Sequence, residues 1–162
     1  MRAGPFAARA AILAPVIGQV FDLAMILRVS VGPRWAEFSP EQQNTLLAAF
    51  TRYTIANYAA NFASDDGTKF EILPDTLQLA ADLAVSTRII PPEGEPVRID
   101  YVMHQTPGRK AWQVVDVLYD GTISQVAVQR SDFRKTLADG GAAGLIALLT
   151  RKAASLESGG KS

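Results

Sequence analysis

The sequence predicts an α+β domain, and three observations carry that reading. Apolar residues recur at helical spacing up to about Phe62. Two runs rich in β-branched and aromatic residues then flank Thr-Pro-Gly-Arg-Lys between Pro96 and Gly121. Helical spacing returns after Asp120-Gly121. Helices, then consecutive strands, then helices again fit a helical layer packed on an antiparallel sheet.

Taken in order, Phe6, Ala10, Leu13, Ile17 and Phe21 open the chain as a helix bent at Pro15. Asp22 is positioned to cap a short helix from Leu23 to Val29. Val31-Gly32-Pro33-Arg34-Trp35 reads as a tight corner. Ser39-Pro40-Glu41-Gln42 is a capping box with proline at the first helical position, and the helix it opens runs to about Phe62. One broad face of that helix carries Leu46, Leu47, Phe50, Tyr53, Thr54, Asn57, Tyr58 and Asn61.

Ser64-Asp65-Asp66-Gly67 turns the chain into a strand from Lys69 to Leu73, and Pro74-Asp75 turns it again. A longer strand follows from about Gln78 to Ile90. Pro91-Pro92-Glu93-Gly94 then leads into the central hairpin, whose turn is set by Pro107 and Gly108. Short connections between four strands predict an antiparallel meander. In the first hairpin strand Val97, Ile99, Tyr101 and Met103 share one face, opposite Arg98, Asp100 and His104. The second is apolar on both faces, with Trp112, Val114 and Leu118 alternating with Val115 and Val117, so it belongs in the middle of the sheet. Asp116 interrupts it and needs a hydrogen-bonded partner or a polar cavity. Ile123, Val126, Ala127, Arg130, Phe133 and Leu137 fit a helix that Gly140-Gly141 breaks. Ala142, Leu145, Ile146 and Leu149 line the inside of a last one, and residues 156–162 read as a frayed tail.

A chain of 162 residues is most simply one domain, residues 1–162, large enough to bury a core. Sixteen basic and sixteen acidic side chains cancel, which leaves none of the dense basic surface that nucleic acid requires. Without cysteine there is no disulfide, thiolate metal site or cysteine nucleophile. The single histidine, His104, has no acidic neighbour at ligand spacing, so no zinc or iron site and no cofactor is expected. Gly140-Gly141…Gly144 lacks the lysine and the preceding strand of a phosphate loop. The apolar run from Ala10 to Val20 is broken by Pro15 and Gly18 and is not followed by a small-residue cleavage site, so it does not read as a secretory signal. Taken alone, these features read as soluble and cytoplasmic.

Several motifs resemble the MlaC/toluene-tolerance family. They are Val20-Phe21-Asp22-Leu23, Gly32-Pro33-Arg34-Trp35, Ala49-Phe50…Tyr53, Val97-Arg98-Ile99-Asp100-Tyr101, Trp112-Gln113-Val114-Val115-Asp116-Val117, Asp120-Gly121-Thr122-Ile123-Ser124, Arg130-Ser131-Asp132-Phe133 and Gly140-Gly141…Gly144-Leu145-Ile146. Their order and spacing match from about Ala10 to Leu149, and two of them lean towards the hopanoid-associated HpnM branch. The resemblance implies a periplasmic lipid carrier whose signal peptide is absent from this chain. It also implies a curved four-stranded sheet wrapped by helices around an apolar cavity, broadly like the NTF2-type cone. The implied ligand is a phospholipid or a hopanoid or related isoprenoid. The implied partners are an inner-membrane ABC-type lipid transport complex and an outer-membrane acceptor, served by a monomer.

The expected pocket walls are Ile26, Phe50, Tyr53 and Tyr58 from helices, with Val85, Ile99, Tyr101, Met103, Trp112 and Val114 from the sheet. Periodicity alone reads the same residues as a filled core. Asn57 and Asn61 stand out on their apolar face as partners for a polar group near a pocket mouth or for a loop backbone. Two alternatives stay open: a small cone-fold enzyme with Asp100 or Asp116 as general base, and an interaction module with a solid interior. Against the first, Asp116 and Tyr119 point to opposite faces, as do Asp100 and Tyr101, and Asp116 is equally suited to fixing a loop or capping a helix.

Overall fold

The structure, a computed structural model, describes residues 5–62, 67–105 and 111–159. Helices α1 (Phe6–Val20), α2 (Leu23–Val31) and α3 (Pro40–Asn61) precede strands β1 (Lys69–Leu79), β2 (Asp82–Ile90), β3 (Val97–Gln105), β4 (Trp112–Tyr119) and β5 (Ile123–Ser124). Helix α4 (Gln125–Glu157) closes the chain. The architecture is the expected α+β, and the sheet is an open antiparallel meander in the order β1-β2-β3-β4-β5.

Local chemistry places the helices where their caps predict. The Asp22 carboxylate accepts from Met25 N at 2.9 Å and starts α2. Ser39 Oγ accepts from Gln42 N at 3.2 Å while Gln42 Oε1 accepts from Ser39 N at 2.9 Å, a complete capping box behind Pro40. The corner between them is one 3₁₀ segment, Gly32–Glu37. Gln43 Nε2 ties it to α3 by donating to Trp35 O and Phe38 O. Pro15 lies inside α1, where it deletes one rung of the hydrogen-bond ladder.

Helix α4 packs on α2 and α3. Leu27, Leu46, Phe50, Leu145 and Leu149, each at most 1% exposed, fill the space between them. The break expected at Gly140-Gly141 is a kink: Gly141 takes φ 55°, a conformation an L side chain resists, and the helix then resumes. Arg34 Nη1 donates to Leu137 O just ahead of it, at 3.0 Å. The tail is ordered further than expected. Leu156 is buried with Ala56 and Ala153, so the helix runs to Glu157 because its last turn still has an apolar surface to cover.

The sheet departs from expectation in three places. The first is the turn expected at Pro74-Asp75. Strand β1 instead passes through those residues with a pairing irregularity between Ile72 and Thr76, and the chain reverses at Ala80-Ala81. Proline is tolerated there because β1 is an edge strand with no outer partner for its missing N–H. Ala80 takes φ 54°, and Gln78 Nε2 holds the reversal by donating to Ala80 O and Asp82 O.

The second is β4, which carries one extra residue within its pairing with β3. Val102 pairs with Asp116 but Met103 with Val114, leaving Val115 as a bulge. The bulge resets the alternation, so Val114 and Val117, not Leu118, share a cluster with Ile99. The third is the strand count, five and not four. Asp120 and Gly121 both adopt positive φ, and Ile123-Ser124 pairs briefly with β4 before Ser124 Oγ caps α4 by accepting from Ala127 N. The Pro107-Gly108 turn and Ser64-Asp65-Asp66 lie outside the described residues.

The sheet is fixed to the helices chiefly along β4. Asp22 N donates to Val114 O at 3.0 Å, and Phe21 forms a parallel bridge with Val114. Gln113 Nε2 reaches Gln19 O and Phe21 O at the junction of α1 and α2. Among the described residues no helix is long and apolar enough to cross a membrane.

Candidate functional site

Between the helices and one face of this sheet lies a cavity of about 650 Å³, within the range of small-molecule sites. Its deep end is apolar and buried: Leu23 and Ile26 from α2, Phe50 from α3, Ile99 from β3, Val117 from β4 and Val126 from α4. An unbroken row of ring contacts leads outward. Phe21 meets Tyr58 edge-on at 5.6 Å, Tyr58 stacks on Phe62 at 6.1 Å, and Phe62 meets Phe70 at 5.9 Å. Phe62 is 41% and Phe70 64% exposed, which makes them the rim.

The wall also carries neutral polar groups. Asn57 and Asn61, one helical turn apart on α3, both face the cavity, as do Tyr58, Tyr101 and Tyr119. Burial pushes the Tyr58 phenol well above its ordinary range, and the neighbouring Tyr101 and Tyr119 phenols push the same way. Tyr101 is raised by burial first and Tyr119 second. Tyr53 is raised by burial, then by Asp132. These hydroxyls are therefore neutral donors at any physiological pH.

The one charged side chain on the described wall is Asp116, and its oxygens are occupied. Oδ1 accepts from Val117 N at 2.8 Å and from Val126 N at 3.1 Å, while Oδ2 accepts from Ser124 Oγ at 2.5 Å. Asp116 thus pins β4 to β5 and caps α4, one of the roles its sequence context allowed. Asp100 lies on the other face, only 2% exposed. Arg98 Nε donates to its Oδ1 at 2.9 Å and Arg98 Nη2 to its Oδ2 at 2.9 Å, and Nη2 also reaches Ser86 Oγ at 3.0 Å. Neither carboxylate is presented to the cavity as a free base. His104, without an acid nearby in sequence, is given one by strand pairing: its Nδ1 lies 2.6 Å from Asp82 Oδ1. Among the described residues no three acidic or histidine side chains gather as a metal site.

Of the ten expected wall residues, the fold brings six together on the cavity: Ile26, Phe50, Tyr53, Tyr58, Ile99 and Tyr101. The other four lie elsewhere. Val114 is buried behind the wall against Ile99 and Val117, and Met103 packs on that same cluster. Val85 sits half-buried opposite Tyr101 in β2, away from the lining. Trp112 begins β4 and is 37% exposed. The bulge at Val115 leaves Trp112 and Val114 in place and acts on the residues after it, pairing Val117 with Tyr101 and Tyr119 with Ile99. Residues that pattern reasoning missed include Phe21, Phe62, Phe70, Val117 and Tyr119. The aromatic spacing Tyr58, Phe62, Phe70 was a readable signal for the rim. Val117 and Tyr119 required the register.

The MlaC protein family profile matches residues 2–151. This chain belongs to the MlaC family. Among solved structures, a phospholipid-binding protein from Ralstonia solanacearum, in complex with a phospholipid, aligns with a TM-score of 0.75 and 23% identity. The alignment covers 93% of this chain and 86% of that one. At that identity the likeness is one of fold, and the MlaC-family chain shares its helix-on-sheet architecture. No curated protein matches the chain.

Proposed function

We propose that this MlaC-family protein is a periplasmic lipid carrier. It shields a phospholipid or hopanoid-like lipid between an inner-membrane ABC-type transport complex and an outer-membrane acceptor, and it works as a monomer without catalysing a reaction. The observation that carries this reading is the cavity of about 650 Å³, apolar at depth and opening through a row of aromatic rings. Each CH₂ placed there contributes roughly 0.8 kcal/mol. Ile26, Phe50, Tyr53, Tyr58, Ile99 and Tyr101 are the proposed contacts for the lipid. The fold likeness to a phospholipid-bound protein supports the same reading. A carrier needs no reactive group, and the carboxylate on this wall is committed to holding α4. Transfer then requires that docking on a partner weaken the hold on the guest.

Mass spectrometry of organic extracts from protein purified without detergent is expected to show one co-purifying lipid class, and the emptied protein should take up labelled lipid. A clean extract with no uptake overturns the proposal. Ile89→Trp projects an indole into the cavity from β2 and should cut uptake about tenfold while changing stability by under about 1 kcal/mol.

A further inference from the structure

The polar part of the cavity wall has a definite chemical character. Asn57, Tyr58, Asn61, Tyr101 and Tyr119 all line it, and among the described residues none of the five makes a side-chain hydrogen bond within the protein. They lie on the C-terminal half of α3 and on β3 and β4, where Tyr101 pairs with Val117 and Tyr119 with Ile99, outward of the apolar floor formed by Leu23, Ile26 and Phe50. The chain has sixteen lysines and arginines, yet among the described residues none lines this cavity, and the wall's single charge is negative. An amide or phenol hydroxyl matches an ester carbonyl or an alcohol well. A phosphate drawn to the same depth loses water, meets no cation among the described residues and approaches Asp116.

We propose that this neutral belt is the selectivity element of the cavity: it receives the uncharged oxygens of a lipid and disfavours a phosphate at that depth. A diacylglycerol is then held in preference to the phosphatidic acid with the same acyl chains. This inference rests on the lipid-carrier reading and narrows it to the chemistry of the group just inside the mouth. A lipid with a larger polar head binds by leaving its phosphate outside and giving only its ester carbonyls to the belt.

The test is a competition for the emptied protein between dioleoylglycerol and dioleoyl phosphatidic acid, delivered from the same phosphatidylcholine vesicles and read as the ratio of the two lipids bound. Because that ratio is compared between wild type and variant, the lipids' own partitioning and any general loosening of the fold cancel. Tyr58→Phe combined with Tyr101→Phe and Asn57→Leu should lower the diacylglycerol-to-phosphatidic-acid ratio about tenfold. Asn61→Lys, which places a cation in the belt, should shift it towards phosphatidic acid by a similar factor. Unchanged ratios in both variants overturn the selectivity while leaving the carrier reading in place. A wild-type protein that takes up no lipid from these vesicles, phosphatidylcholine included, overturns the carrier reading and this one with it. One that loads phosphatidylcholine but no more diacylglycerol than phosphatidic acid overturns the selectivity alone.

Discussion

The helical half and the sheet half of this molecule solve packing differently. Between α2, α3 and α4 the interior is filled, with Leu27, Leu46, Leu145 and Leu149 removed from solvent entirely. On the sheet, among the described residues, only β4 is tied to the helices by backbone hydrogen bonds, through Val114 and the α1–α2 junction. Strand β1 is exposed along nearly its whole length, with Phe70, Ile72, Leu77 and Leu79 all facing solvent. A sheet anchored along one strand and free at the other edge leaves room between its face and the helices. The cavity therefore follows from where the anchoring stops, and the filled helical core bears the stability that an empty interior does not supply.

The sharpest way to break this comparison is to truncate one side chain on each side of it. Leu149→Ala should cost about 2–5 kcal/mol in chemical denaturation, because its neighbours cannot collapse onto the hole. Phe70→Ala at the rim should cost under about 1 kcal/mol. Equal losses would mean that both halves are packed alike. Next in size, Asp116→Ala strands Val117 N, Val126 N and Ser124 Oγ and should lower stability by about 2 kcal/mol. If lipid uptake also vanishes in a variant that remains folded, Asp116 touches the guest as well as the helix.

A smaller effect separates the two halves by pH. The Tyr58 and Tyr101 phenols are raised in the folded protein, so their contribution to stability is complete below the ordinary tyrosine value of about 10 and is lost as pH rises through the folded values. Unfolding midpoints measured from pH 9 to 11 should fall, and Tyr58→Phe with Tyr101→Phe should flatten the decline. The least effect belongs to the surface of the helical half. Arg52 holds Glu157 through paired hydrogen bonds at 2.8 and 2.6 Å and lowers its carboxyl pKa. Glu157 is depressed in the folded state, so its contribution is present above the ordinary carboxylate value and fades as pH falls through the folded one. The pair is half-exposed, and Arg52→Ala should cost less than about 1 kcal/mol in the same denaturation assay at neutral pH, and less still in high salt.

The sequence by itself determined what depends on neighbours a few residues away. Asp22 to Met25, Ser39 to Gln42 and the Asp120-Gly121 reversal are contacts that spacing encodes, and the motifs in their order were enough to indicate the MlaC family. Six wall residues were also legible, because a broad apolar face on α3 and one face of β3 had to meet something. Tertiary structure alone decided the rest. The bulge at Val115 chose Val117 and Tyr119 over their neighbours, strand pairing brought Asp82 to His104, and the docking of β4 fixed how far the sheet stands from the helices. An apolar stripe is the same whether it meets another stripe or an empty volume, and the distance to the opposite wall is set by contacts far apart in the chain.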